Sequence, residues 1–193
     1  MIKKLLIIGA MFMLYLTAVN SFAAGARIDI SGVQNKITLT PGKKSQHCTL
    51  MNPSWVKPES KQKQMLYFTT PHLTTKAQSF EITFIPQQSG MIKINLSGPY
   101  HKPSKPCESV YFQKVEIIAG ATIKNPNFNN NNPNGTLAGW FFNDLSRIPP
   151  LMKLHNGIAE LKVSYDQPLH QYITVKKGVA ITIKITAKKY SQK

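Results

Sequence analysis

The sequence predicts an all-β fold, a two-sheet antiparallel sandwich of jelly-roll type. Short apolar runs alternate with polar residues at a period of two. No helical period follows the N-terminal segment, and 13 prolines and 11 glycines cut the 193 residues into short pieces. Nine or ten strands of this kind in one chain favour two packed sheets over a single open one.

The chain opens with a basic Met1-Ile2-Lys3-Lys4 and an almost purely apolar run over residues 5–16. Small residues follow at Ser21-Phe22-Ala23-Ala24-Gly25-Ala26, which fit cleavage near residue 23 or 26. A signal peptide over residues 1–24 and one sandwich domain over 27–190 are therefore expected, in a secreted or periplasmic protein. The apolar run is shorter than the roughly 20 residues a membrane span needs, and no later stretch reaches that length. No membrane span is expected after cleavage, and no cysteine stands by the cleavage region to carry a lipid.

Strands are expected at residues 27–30 and at 35–40 (NKITLT), the latter closed by Pro41-Gly42. Residues 46–63 are polar and proline-bearing, and read as a long loop. Residues 65–70 (MLYFTT) read as a strand. Residues 79–85 (SFEITFI) and 91–96 (MIKINL) alternate strictly and read as a hairpin around Pro86–Gly90. Residues 97–106 are a proline-rich loop, and 110–118 (VYFQKVEII) the next strand. The tract NPNFNNNNPNGTLAGW, residues 125–140, reads as a turn-rich seam between two halves of the domain. Beyond it, strands are expected at 158–165, 170–175 and 179–187.

The formal charge is +16, and +14 once Lys3 and Lys4 are removed. Such a balance suits anionic glycans, lipid headgroups or nucleic acid. The lysines are scattered, with doublets at Lys43-Lys44, Lys176-Lys177 and Lys188-Lys189. No run of five cations marks a nucleic-acid arm. Two cysteines, Cys48 and Cys107, are expected to pair in an oxidising compartment, closing a loop of about 60 residues worth on the order of 4 kcal/mol.

Catalysis has little to work with. The eight acidic residues form no pair at a recognisable spacing, and His47, His72, His101, His155 and His170 lack ligand spacing. No nucleophile elbow, P-loop or dinucleotide fingerprint is present. No enzyme, cofactor or metal is expected. Binding is the better case, because loop aromatics stack on the apolar faces of sugars. Trp55, Tyr100 and His101 are the loop candidates. Trp140 heads a Trp-Phe-Phe run and reads either as core or as a ligand contact.

Several segments resemble the galactose-binding-like β-sandwich of carbohydrate-binding modules. Asn125-Pro126-Asn127-Phe128-Asn129 with Gly139-Trp140 is similar to that family's opening motif. Asn156-Gly157 with Ala159-Glu160-Leu161-Lys162-Val163, and Gln171-Tyr172-Ile173-Thr174-Val175 with Lys177-Gly178, are similar to the strands that follow it. Phe80-Glu81-Ile82-Thr83-Phe84 with Ser89-Gly90, and Val110-Tyr111-Phe112-Gln113-Lys114-Val115-Glu116, resemble its closing strands but lie upstream. The resemblance implies a circularly permuted sandwich, or fragments of two modules in tandem, that binds glycans. Asn129 stands where the motif has a calcium-binding glutamate, and Gln113-Lys114 where it has an acidic pair, so no bound calcium is implied. The expected function is a non-catalytic protein that binds carbohydrate or another anionic polymer. The alternative is a structural or protein-interaction component of an envelope or adhesion surface.

Overall fold

A computed structural model of the chain describes residues 25–33, 37–42, 49–51, 64–99, 109–133, 136–142, 152–155 and 157–190. Those residues hold twelve strands: β1 Arg27–Gly32, β2 Leu39–Pro41, β3 Thr49–Met51, β4 Met65–Thr69, β5 Gln78–Pro86, β6 Gly90–Ser97, β7 Ser109–Ala119, β8 Phe141–Phe142, β9 Met152–His155, β10 Ile158–Ser164, β11 Leu169–Val175 and β12 Ile181–Lys189. They form two six-stranded sheets, in the orders β3-β4-β1-β6-β11-β8 and β2-β5-β12-β7-β10-β9. Every pairing is antiparallel. Among the described residues no helix is long and apolar enough to cross a membrane.

Alternation builds the core. Ile28 and Ile30 of β1, Leu66 and Phe68 of β4, and Ile92, Ile94 and Leu96 of β6 face inward from the first sheet. Phe80, Ile82 and Phe84 of β5 and Ile181, Ile183 and Ile185 of β12 meet them from the second. β7 breaks the period, because Phe112 and Val115 are both buried although three residues apart. A register shift opposite Thr186 and Ala187 explains it: Lys114 pairs with Thr186 and Phe112 with Ala187, which leaves Gln113 as the extra residue.

The long strands nest as antiparallel pairs, β7 with β10, β6 with β11, β5 with β12 and β4 with β1. This is a jelly roll, with the first strand standing where the eighth would. The two ends of the fold meet the β4–β5 connection. Thr70 N–H donates to the Ala26 carbonyl at 2.9 Å, and Lys189 N–H to the Thr74 carbonyl at 2.7 Å.

Two expectations are corrected. β5 and β6 are not a hairpin but lie in different sheets. Alternation specifies which side chains face the core and says nothing about the partner strand. The link over residues 87–89 is long enough to cross the ~10 Å between packed sheets. It is tied down where Gln87 N–H donates to the Thr38 carbonyl (2.9 Å) and Thr38 N–H to Gln88 Oε1 (2.7 Å). Gly90 follows at φ +152°, where an added Cβ would sit 2.9 Å from Ile37 Cδ1. The stretch expected as a loop over 46–63 contains β3, which pairs with β4.

The asparagine tract is a folded cover rather than a seam. Asn125 sits at φ +47°, a conformation asparagine tolerates. Its Nδ2 donates to the Asn130 carbonyl (2.8 Å) and the Ala138 carbonyl (3.1 Å), and its Oδ1 accepts from Asn130 N–H (3.1 Å). Gln171 brackets the preceding residue, accepting from Lys124 N–H at 2.6 Å and donating to the Lys124 carbonyl at 3.0 Å. These bonds set Phe128 and Trp140 into the core, with ring centroids 5.3 Å apart.

Candidate functional site

The outer face of a sandwich sheet is normally solvated. On the first sheet it is covered in part: outward-pointing Tyr67, Ser97 and His170 are all buried. Register explains how they gather. Phe141 of β8 lies opposite His170 of β11, His170 opposite Asn95 of β6, Asn95 opposite Asp29 of β1, and Asp29 opposite Tyr67 of β4. This row of five crosses the sheet over about 19 Å at the usual strand spacing. A second row, Tyr172, Lys93, Ser31 and Met65, runs beside it.

One end of the row is polar and internally paired. Arg27 Nε donates to Asp29 Oδ1 at 2.8 Å, and Asn95 Nδ2 reaches Asp29 Oδ2 at 3.5 Å. The Arg27 guanidinium also lies 4.8 Å from the Tyr67 ring centroid and 5.8 Å from that of Tyr165. Burial pushes the Asp29 carboxyl above its ordinary range, against the pull of Arg27. Burial also lowers the Lys93 ammonium, while Asp29 pulls it back up.

The other end is aromatic. His170 lies edge-on to Tyr172 at 5.2 Å, and Phe141 sits 5.9 Å from His170 and 6.3 Å from Tyr172. Phe141 and Tyr172 are about half exposed, at 53% and 43%, whereas His170 is only 7% exposed. With Met91, opposite Thr174 on β11, they are three of the six large hydrophobic side chains exposed among the described residues. Half of those six side chains thus lie on one face.

Between the two ends lie His170 Nδ1 and Asn95 Oδ1, the two buried side-chain polar atoms that have no partner among the described residues. Each such atom costs about 1–3 kcal/mol. Burial, with a smaller contribution from the charge on Lys93, holds the His170 pKa down to about 4, so the imidazole is neutral at pH 7. The face thus combines shifted titrations, exposed rings and two buried polar atoms without a partner among the described residues.

The residues singled out in the sequence lie elsewhere. Trp140 is 3% exposed, packed against Phe128 with the ring planes tilted by 54°, and donates from Nε1 to the Asn125 carbonyl at 3.1 Å. It belongs to the core. Trp55, Tyr100, His101, Cys48 and Cys107, like the segment 1–24, fall outside the described residues. The row itself was hidden because each member is an ordinary polar or aromatic residue at an outward strand position. The usable signal was parity: Asp29, Lys93, Asn95, His170 and Tyr172 all point away from the apolar positions of their strands.

In comparisons with known proteins, the chain matches no family model, no curated protein and no solved structure.

Proposed function

We propose that the protein is an exported, non-catalytic binding protein that takes carbohydrate on the outer face of its first sheet. The observation that carries this reading is the pair of half-exposed rings, Phe141 and Tyr172, beside His170 Nδ1 and Asn95 Oδ1, which have no partner among the described residues. Asn95 Oδ1 calls for a donor, and a neutral imidazole nitrogen either donates or accepts according to its tautomer. A hydroxyl group does both. Sugars combine hydroxyls with an apolar C–H face that packs on aromatic rings.

The disposition of two paired acids, Glu160 buried and Asp29 partly buried, supports a binding role. Asp29 is paired with Arg27, and Glu160 with Lys188 Nζ at 2.5 Å and Gln113 Nε2 at 2.8 Å. They occupy outer faces of opposite sheets, so the thickness of the sandwich separates them. Glycoside hydrolysis needs two carboxylates about 5–10 Å apart across one bond.

Export is the reading of the N-terminal segment, and it would place Cys48 and Cys107 where they can pair. The fold bears on the cleavage point. Ala26 is fully buried, and its N–H donates to Thr70 Oγ1 at 2.9 Å while its carbonyl accepts from Thr70 N–H. Cleavage after Ala23 preserves both bonds, whereas cleavage after Ala26 removes them. Mature protein is expected to begin at Ala24, and an N-terminal sequence starting at Arg27 would refute this.

A glycan array probed with the purified mature protein tests the function. Phe141→Ala and Tyr172→Ala are each expected to weaken the retained glycans about tenfold, or ~1.4 kcal/mol, without lowering the melting temperature. A wild-type protein that retains no glycan at low or high salt would overturn the reading in favour of a protein-interaction surface.

A further inference from the structure

We propose that one end of the sandwich docks on an anionic lipid membrane, with Val179 and Ile118 entering the headgroup boundary and Lys176 and Lys177 meeting the lipid phosphates. The inference is independent of the carbohydrate reading and concerns a different part of the molecule.

This end is built from three described segments: residues 86–91 between β5 and β6, 117–121 at the end of β7, and 175–181 between β11 and β12. Backbone contacts fasten them together. Gly178 N–H donates to the Pro86 carbonyl at 2.8 Å, and Lys177 N–H to Ser89 Oγ at 2.9 Å. Gly120 lies so close to Ala180 that an added Cβ would collide with its carbonyl. Val179 N–H donates back to the Lys176 carbonyl at 3.3 Å, closing a β-turn whose third position, Gly178 at φ +73°, suits glycine.

The turn holds Val179 outward, 39% exposed. Ile118, on the adjoining strand, is 51% exposed and is the extra residue where the register of β7 shifts opposite Thr182 and Ile183. Met91 also projects at this end, where Gly90 pairs with Val175. Aliphatic side chains held in water on a fastened backbone gain from an apolar contact. Lys176 and Lys177 are exposed beside them. The three segments contain no Asp or Glu, and Glu116, just before them on β7, is paired with Lys114 Nζ at 2.6 Å. Apolar tips flanked by unopposed cations match anionic headgroups lying over an acyl boundary. A polysaccharide would meet the lysines but offer the aliphatic tips no hydrocarbon. A second copy would set lysine against lysine in a chain of formal charge +16.

Flotation of the mature protein with vesicles tests this, using phosphatidylcholine alone and phosphatidylcholine with about one-third phosphatidylglycerol. Binding is expected to be about tenfold tighter to the mixed vesicles and to weaken with salt. A chain of this charge is drawn to any anionic surface, so the site is read from variants. Val179→Ser and Ile118→Ser leave the charge unchanged, and each should weaken binding to the mixed vesicles about fivefold. Lys176→Gln and Lys177→Gln should each do the same. Ile158→Ser and Lys184→Gln, on the second sheet, control for general hydrophobicity and general charge and should have no comparable effect. Tip variants that bind like the native protein, or second-sheet variants that lose as much, would mean that attraction is spread over the surface and would overturn the proposal. So would the lack of any preference for the anionic vesicles.

Discussion

Trp140→Ala is expected to destabilise the protein by about 4 kcal/mol, a fall in melting temperature of roughly 10 °C for a domain of this size. Three losses combine. The indole is 3% exposed within the main core, so its removal leaves a cavity. Phe128 loses its ring partner at 5.3 Å, and the Asn125 carbonyl loses the Nε1 donor at 3.1 Å. Trp140→Phe separates these effects. It keeps most of the apolar volume and gives up the hydrogen bond, for an expected loss of about 1–2 kcal/mol. Asn125→Ala should cost about 2 kcal/mol, because alanine is strained at φ +47° and leaves the Asn130 and Ala138 carbonyls without their side-chain donor. The double variant should fall short of the sum by on the order of 1 kcal/mol, since both changes dismantle the same cover. Urea unfolding of the four proteins measures this. A Trp140→Ala protein with unchanged stability and weakened glycan binding would return the indole to the ligand.

The same residues show how far the sequence could be read. Strand faces were legible because apolar side chains at every second position have one burial pattern that fits, as in β5, β6 and β12. Partners were not, because a strand's own residues do not encode which neighbour completes its hydrogen-bond ladder. Hence β5 and β6 looked like a hairpin and instead cross between sheets. The asparagine tract resembled an exposed turn since nothing in its composition announces that one asparagine side chain will satisfy three backbone groups. The candidate site suffers from both limits. Its members come from β1, β4, β6, β8 and β11, spread from Arg27 to Tyr172, and meet only through the strand order. Loop aromatics were the natural candidates without that order, whereas with it an outward face that is unexpectedly buried becomes the anomaly to explain.

Stability should decline by up to about 3 kcal/mol as the pH falls from 6.5 to 4, and His170 should be the cause. Its pKa is about 4 in the folded protein, against 6.5 for an ordinary imidazole, because the ring is buried and, to a lesser degree, faces the charge on Lys93. Between those two values the unfolded chain binds a proton that the folded chain refuses. The contribution is fully present above pH 6.5 and is lost on acidification. The other charged groups on this face are Arg27, Lys93 and Asp29, and burial raises the pKa of the Tyr67 phenol further above this range. Asp29 acts in the opposite sense: its raised pKa lets the folded protein take up a proton first, so acidification favours the fold through that group. Subtracting the stability–pH profile of His170→Gln from that of the native sequence isolates the imidazole. The difference should be flat above pH 7 and steepest near pH 5. Lys93→Met should narrow the window from its acidic side, since one of the two causes of the shift is removed. Identical profiles for the native protein and His170→Gln would mean that the imidazole is solvated. In that case Nδ1 has water for a partner, and the main argument for a sugar hydroxyl at that position falls with it.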